Sequence, residues 1–226
     1  MTIKYSSAVK QTVLFLLGLF ILLVALYQNF VLKLPYFYAL FSVGMSMSLA
    51  AVYNLLFSPP IFHGWRSLHI AVFALLLLAS CVAVDQIGMA LGYWEYPHYG
   101  PEDTLRKYIF EWGVALFYHL LSLLIGLRLF ERMGVRGTSA LLLGTLIIVT
   151  PVGFLTEYLN LHVYSWRVLS MPLSNMRIGE FFLVFQTIGY WAMALIPYLL
   201  YRLIDRRACA HRQEYRQAVA EEGWEN

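Results

Sequence analysis

The chain has 226 residues, 60% of them hydrophobic and 13% charged, with a formal net charge of +3 and a mean hydropathy of +0.65. Long stretches almost without charge exclude a water-soluble domain and indicate a polytopic helical membrane protein; a transmembrane barrel would show short alternating segments, and none are visible. The positive excess gathers at the C-terminus, which is a membrane-flank pattern and not a nucleic-acid surface.

In chain order, Lys4 and Lys10 precede an apolar run over 12–32. It is too long for a signal-peptide core and has no small-residue cleavage site, so it is expected to stay as an uncleaved helix 1. Lys33-Leu34-Pro35 turns the chain into helix 2, expected over 36–57. Its small face (Ser42, Gly44, Ser46, Ser48) suits close helix packing, and Pro59 and Pro60 end it. Helix 3 is expected over 67–91 and carries Asp85 in its last turns. Helix 4 is expected over 108–130, a polar turn follows (131–137), and helix 5 is expected over 138–161 with Pro151 and Gly153 as a kink. Helix 6 is expected over 178–203. The expectation is an all-α membrane domain over 1–204, with helices 1 and 2 as a packing flank, and a charged tail over 205–226 that forms an amphipathic or frayed helix.

Six spans place both termini on one side. That side holds eleven basic residues (Lys4, Lys10, Arg66, Arg128, Arg132, Arg136, Arg202, Arg206, Arg207, Arg212, Arg216) and the other five (Lys33, Arg106, Lys107, Arg167, Arg177). The imbalance predicts N- and C-termini cytoplasmic, and the membrane is expected to be an inner membrane of bacterial type.

Asp85 is followed nine residues later by Trp94, and Glu157 nine residues later by Trp166, with an offset of 72 in both cases. A polar loop and then a Glu, Glu111 or Glu180, precede the next apolar run. This pattern reads as a duplicated hairpin: helices 3–4 and helices 5–6. A carboxylate at helix-centre depth costs roughly 2.5–3.5 kcal/mol on insertion scales, so four acids in a repeated arrangement are candidate functional groups. Withdrawal from water favours a neutral carboxyl, and a neutral carboxylic acid is a candidate general acid. The bland alternative pairs Glu180 with Arg177 and Glu111 with Lys107. Glu111 shares a helix face with Ala115 and Tyr118, and Glu180 with Val184 and Thr187, so Glu111 and Glu180 are expected to face one cavity. His119, eight residues beyond Glu111, is either its partner or a helix-packing histidine. Trp94, Tyr96, Trp112 and Trp166 are candidate cavity walls or members of an interfacial aromatic belt.

Other chemistries have no motif here. The histidines form no HxxxH, ExxH or HExxH pair, Cys81 and Cys209 fall at opposite ends of the topology, and no nucleophile elbow or Walker loop exists. No metal and no cofactor are expected.

The pattern D-x-I-x-x-x-x-G-x-W-x-Y (Asp85, Ile87, Gly92, Trp94, Tyr96) is similar to a signature of the small membrane lycopene cyclases, the heterodimeric bacterial type and the cyclase domain of the fungal bifunctional enzymes. The run E-F-F-L-V-F-Q-T (Glu180, Phe181, Phe182, Gln186, Thr187) resembles that family's acid–Phe–Phe–Gln–Thr helix start, with one residue fewer between acid and Gln. The family's Pro-x-Glu-Glu pair before each Phe-Phe is absent. The resemblance implies a polytopic fold of related halves and ring closure on a polyene without net redox change. A neutral acid protonates a terminal C=C, the cation cyclises, and a carboxylate removes a proton. It implies Glu180 and Glu111 as acids of one cavity, Asp85 and Glu157 in supporting or base roles, and Trp94, Tyr96, Trp112, Trp166, Phe181, Phe182, Gln186 and His119 around the substrate. The expected ligand is a membrane lipid or isoprenoid, with a second copy or a partner membrane subunit as a further partner and no nucleic acid. Two alternatives stay open: a non-enzymatic lipid- or isoprenoid-binding subunit or small transporter, and an enzyme acting on extracytoplasmic lipid-linked substrates.

Overall fold

The computed structural model describes residues 2–173 and 175–221, and the side chains of 8–173 and 175–206. Among the described residues six helices are long and apolar enough to cross a membrane. They are α1 (Thr2–Phe30), α2 (Phe37–Leu56), α3 (Ser67–Ala90), α4 (Pro101–Arg132), α5 (Gly137–Asn160) and α6, whose apolar part is Phe185–Arg206 and which runs on to Glu221. Each follows an apolar run. α2 stops short of Pro59-Pro60, because the residue before a proline resists helical backbone.

α4 is the centre. Of its most apolar stretch 61% is buried, against 11% for α1, and it packs on α2, α3, α5 and α6. α1 is a flank laid along α2, where Gly18 and Gly44 let the backbones approach: a Cβ on Gly18 would meet Ser48 Oγ at 2.6 Å. α2 is more than the flank expected of it. Ser46 donates to the Val114 carbonyl (3.2 Å) and Tyr38 shares a 2.8 Å hydrogen bond with Tyr118, both on α4.

The usual distribution of polarity is inverted. Asn29, Ser42, Asp85, Glu111, His119, Thr156, Glu157, Asn160 and Gln186 are buried, while Leu16, Leu23, Leu68, Leu75, Leu142, Ile188 and Leu199 are exposed. Among the described residues three turns are π-helical: Lys107–Gly113, Gly144–Val149 and Phe185–Gly189. The second lies just before Pro151, whose missing N–H breaks the regular ladder.

Among the described residues two short strand pairs close the loop end. β1 (Trp94–Glu95) pairs antiparallel with β2 (Arg167–Val168), Trp94 opposite Val168 and Glu95 opposite Arg167. β3 (Arg177–Ile178) pairs with β4 (Phe181–Phe182). This second hairpin corrects the expected start of helix 6. Gly179 has φ +58°, which permits a two-residue turn between strand-forming flanks. Residues 177–182 are therefore extended, and Glu180 sits on the turn instead of opening the helix. α4 begins earlier than expected, at Pro101. The expected tail is helical as far as Glu221, and its first acid, Asp205, accepts from the Trp65 indole (3.0 Å). The side chains of 207–226, Cys209 and three of the counted arginines among them, and residues 222–226 altogether lie outside the described residues.

Candidate functional site

Asp85 lies on the last turns of α3, 4% exposed. Its Oδ1 accepts from the Trp94 indole (3.0 Å) and from the Tyr96 hydroxyl, and its Oδ2 from the Tyr108 hydroxyl (2.8 Å). Lys107 Nζ stands 3.2 Å from the same Oδ2 and is itself buried. The ammonium also lies 4.3 Å and 4.5 Å from the ring centroids of Tyr96 and Tyr108. A buried charge is tolerated when paired and hydrogen-bonded, and Asp85 has both.

Glu157 lies on α5, 5% exposed. Its Oε1 accepts from the Trp166 indole (2.9 Å) and from the Tyr190 hydroxyl on α6 (2.8 Å). Among the described residues no ion pair includes it. Asn160 fixes the start of the following loop, donating to the Trp166 carbonyl (2.8 Å) and accepting from its N–H (3.3 Å).

Glu111 lies in the π-helical turn of α4, 1% exposed. It accepts from the Tyr99 hydroxyl, and Arg106 Nε is 3.6 Å from Oε1. Arg106 in turn lies 3.8 Å from the Tyr36 ring centroid and pairs with Asp103 (2.8 Å). The bland pairing of Glu111 with Lys107 is thus exchanged: Lys107 serves Asp85, and Arg106 serves Glu111. In the loop, burial first and the adjacent carboxylate second hold the phenols of Tyr96 and Tyr99 well above their ordinary values. Both remain hydrogen-bond donors at neutral pH.

Glu180 does not join Glu111. It is exposed on its turn, at the rim of a cleft of ≈ 520 Å³ whose lining includes Glu157, Arg177, Phe181, Phe182 and Gln186. His119 is fully buried, bonded through Nδ1 to the Ala115 carbonyl (2.8 Å) and held between the rings of Tyr118 (4.2 Å) and Tyr190 (5.2 Å). Among the described residues its ring meets Tyr190, which bonds Glu157, and makes no hydrogen bond to Glu111.

The aromatic candidates meet. Trp112 packs on Trp166 (5.3 Å between centroids), Tyr38 (6.0 Å) and Tyr96 (6.1 Å). Trp94, Trp112, Trp166 and Phe185 wall a cavity of ≈ 130 Å³ between α3, α4 and α6, almost wholly apolar, with Asp85 as the single carboxyl among its lining residues. Trp166 and Phe185 border both this cavity and the ≈ 520 Å³ cleft. Among the described residues no group of three or more His, Cys, Asp and Glu is placed to hold a metal ion.

Sequence reasoning missed Tyr108, Tyr190 and Phe185. Each tyrosine donates to one acid from the helix that follows, but they stand 23 residues after Asp85 and 33 after Glu157. The β3–β4 hairpin lies in the longer second loop and hides the correspondence. Comparison with protein-family models, with curated proteins and with solved structures gives no match.

Proposed function

We propose that this chain is a membrane-embedded cyclase of the lycopene type, closing a ring on the end of an isoprenoid chain by proton chemistry without net redox change. The observation that carries the reading is the aromatic-walled cavity with Asp85 on its wall. A cavity of roughly 150 Å³ lined by aliphatic and aromatic side chains holds one benzene-sized ring, so ≈ 130 Å³ suits one six-membered ring in formation. Glu157 gives a proton to the terminal C=C at the Trp166–Phe185 seam. The new C–C bond closes the ring, and Asp85, the carboxylate balanced by Lys107, takes a proton from the carbon next to the cation. The faces of Trp94, Trp112, Trp166 and Phe185 stabilise the cation by about 0.5–2 kcal/mol each, and the apolar walls exclude the water that would quench it. Product and substrate have equal mass, and proton exchange through the polar clefts restores the acid.

The surrounding reading is a six-span bundle in a bacterial-type inner membrane with both termini cytoplasmic. Buried polar groups and exposed leucines support the membrane part, since lipid reverses the usual reason for hiding apolar side chains. A duplicated hairpin is supported by the β1–β2 register. Glu95 and Arg167, 72 residues apart, stand directly opposite, as a local two-fold axis would place them.

One observation favours a second reading, a non-enzymatic isoprenoid-binding subunit: Asp85 is fully engaged by Lys107 and three donors, as a structural carboxyl would be. Mass spectrometry of copurified apolar lipids, with product analysis on added lycopene, separates the two. An isomer of unchanged mass carrying a ring is expected. A bound polyene that is never converted leaves the second reading, and phospholipid alone removes both.

A further inference from the structure

The ≈ 520 Å³ cleft beside the cavity has a polar floor of which ring closure uses only Glu157. Gln186, in the π-helical turn that opens α6, is 1% exposed and lines this cleft. Its Oε1 is buried and meets no donor among the described residues. A buried acceptor left unpaired is costly, and a ligand that donates a hydrogen bond removes the cost. Glu157 and Asn160 are the other buried polar side chains of the lining, and the Asn160 amide is already engaged by the Trp166 backbone. The rim carries Glu180, Arg167 and Arg177, and its charge balances once Glu95, which pairs with Arg167 (3.3 Å) from outside the cleft, is counted. A phosphate would set its oxygens against the unpaired Gln186 Oε1 and the Glu157 carboxyl. An ammonium would meet the rim arginines. A neutral hydroxyl fits both floor and rim.

Trp166 and Phe185 belong to the linings of both spaces, so the two adjoin at these rings. We infer that the ligand is an amphiphile, an isoprenoid bearing a hydroxyl end, with its hydrocarbon part in the apolar cavity and its hydroxyl on Gln186 Oε1 in the cleft. This rests on the reading of the cavity as the seat of an isoprenoid chain. It replaces a pure hydrocarbon by a hydroxylated one as the preferred substrate class.

The test uses the full-length protein in detergent, with the tryptophans of the site as reporters. Quenching by four C20 probes is titrated: geranylgeraniol, the corresponding hydrocarbon, geranylgeranyl phosphate and geranylgeranylamine. One hydrogen bond to a buried acceptor predicts that the alcohol binds roughly three- to tenfold tighter than the hydrocarbon. In Gln186→Leu that ratio should fall to about one. The wild-type comparison stands even if the variant does not fold. Equal binding of alcohol and hydrocarbon, or tightest binding of the phosphate or of the amine, overturns the inference. Alcohol preference without any ring-bearing product would sink the cyclase reading and leave this one intact. Ring closure on lycopene with no preference among the probes would do the reverse.

Discussion

Asp85 and Glu157 each accept from the indole nine residues on and from a tyrosine of the helix that follows, yet Lys107 reaches only Asp85. The scaffold is shared and the electrostatics are not. Around Asp85 three donors and an ammonium hold a compensated charge. Around Glu157 the two donors fall on one oxygen, and no described cation forms an ion pair with it. Two carboxyls kept in unlike environments are what a division between proton donor and proton acceptor needs. The difference arises at one residue position in the loop–helix junction, since Arg106 turns to Glu111 and Lys107 to Asp85.

The largest effect should come from the less compensated side. Glu157→Gln keeps a carbonyl oxygen for Trp166 and Tyr190, so the fold should stay within about 1 kcal/mol of wild type. Ring formation should drop by about 10²–10⁴, the usual loss of a general acid. Product analysis beside a thermal melt in detergent checks both halves; unchanged product would make Glu157 structural. Lys107→Met comes next. Removing one partner of a buried pair leaves the other uncompensated and costs about 3–5 kcal/mol. The double variant with Asp85→Asn should recover part of the loss in a double-mutant cycle. Strict additivity would mean that the two side chains do not act as a pair and that the contrast between the two acids is false.

The membrane-length helices could be read from sequence because apolar runs bounded by Pro, Gly and charge mark them directly. α2, α3 and α5 lie within a residue or so of their expected limits. The start of α6 could not be read that way. R-I-G-E-F-F is as apolar as a helix start, and what makes it a hairpin is the left-handed backbone at Gly179. That misreading placed Glu180 with Glu111. The acid–indole spacing was legible because both members lie within one short segment. The donors Tyr108 and Tyr190 lie across loops of unequal length, and the choice of Lys107 for Asp85 depends on tertiary packing, so neither leaves a periodic trace.

Smaller effects test the indole side of the comparison. A Cβ on Gly88 would stand 1.9 Å from the Trp94 ring, and one on Gly153 would stand 2.5 Å from Tyr190. Gly88→Ala must therefore move the indole that bonds Asp85, and Gly153→Ala the phenol that bonds Glu157. Overpacking of this kind costs about 1–3 kcal/mol. Gly88→Ala should also change tryptophan emission, because Trp94 walls the cavity. Gly153→Ala should leave Trp94 undisturbed. Identical spectra for both variants and wild type would mean that Trp94 does not sit against α3.

The smallest effect is expected where the two acid–indole loops touch. Arg167 and Glu95 face each other across β1–β2 with Nη1 and Oε1 3.3 Å apart, their side chains 54% and 44% exposed. An ion pair so open to solvent is worth about 0.2–1 kcal/mol and weakens with salt. The strands have other ties: the Leu169 N–H donates to the Tyr93 carbonyl (2.8 Å), and the Ser170 hydroxyl donates to the Gly92 carbonyl (3.0 Å). Arg167→Ala should therefore lower stability by less than about 1 kcal/mol, and raising the salt concentration should remove the difference. Ser170→Ala, which deletes a neutral bond at the same seam, should cost about 0.5–1.5 kcal/mol at any salt. A salt-independent loss above about 2 kcal/mol for Arg167→Ala would show that the junction of the halves is held by charge and not by backbone pairing. The symmetric register of Glu95 and Arg167 would then be a consequence of that ion pair and would no longer support a duplicated hairpin.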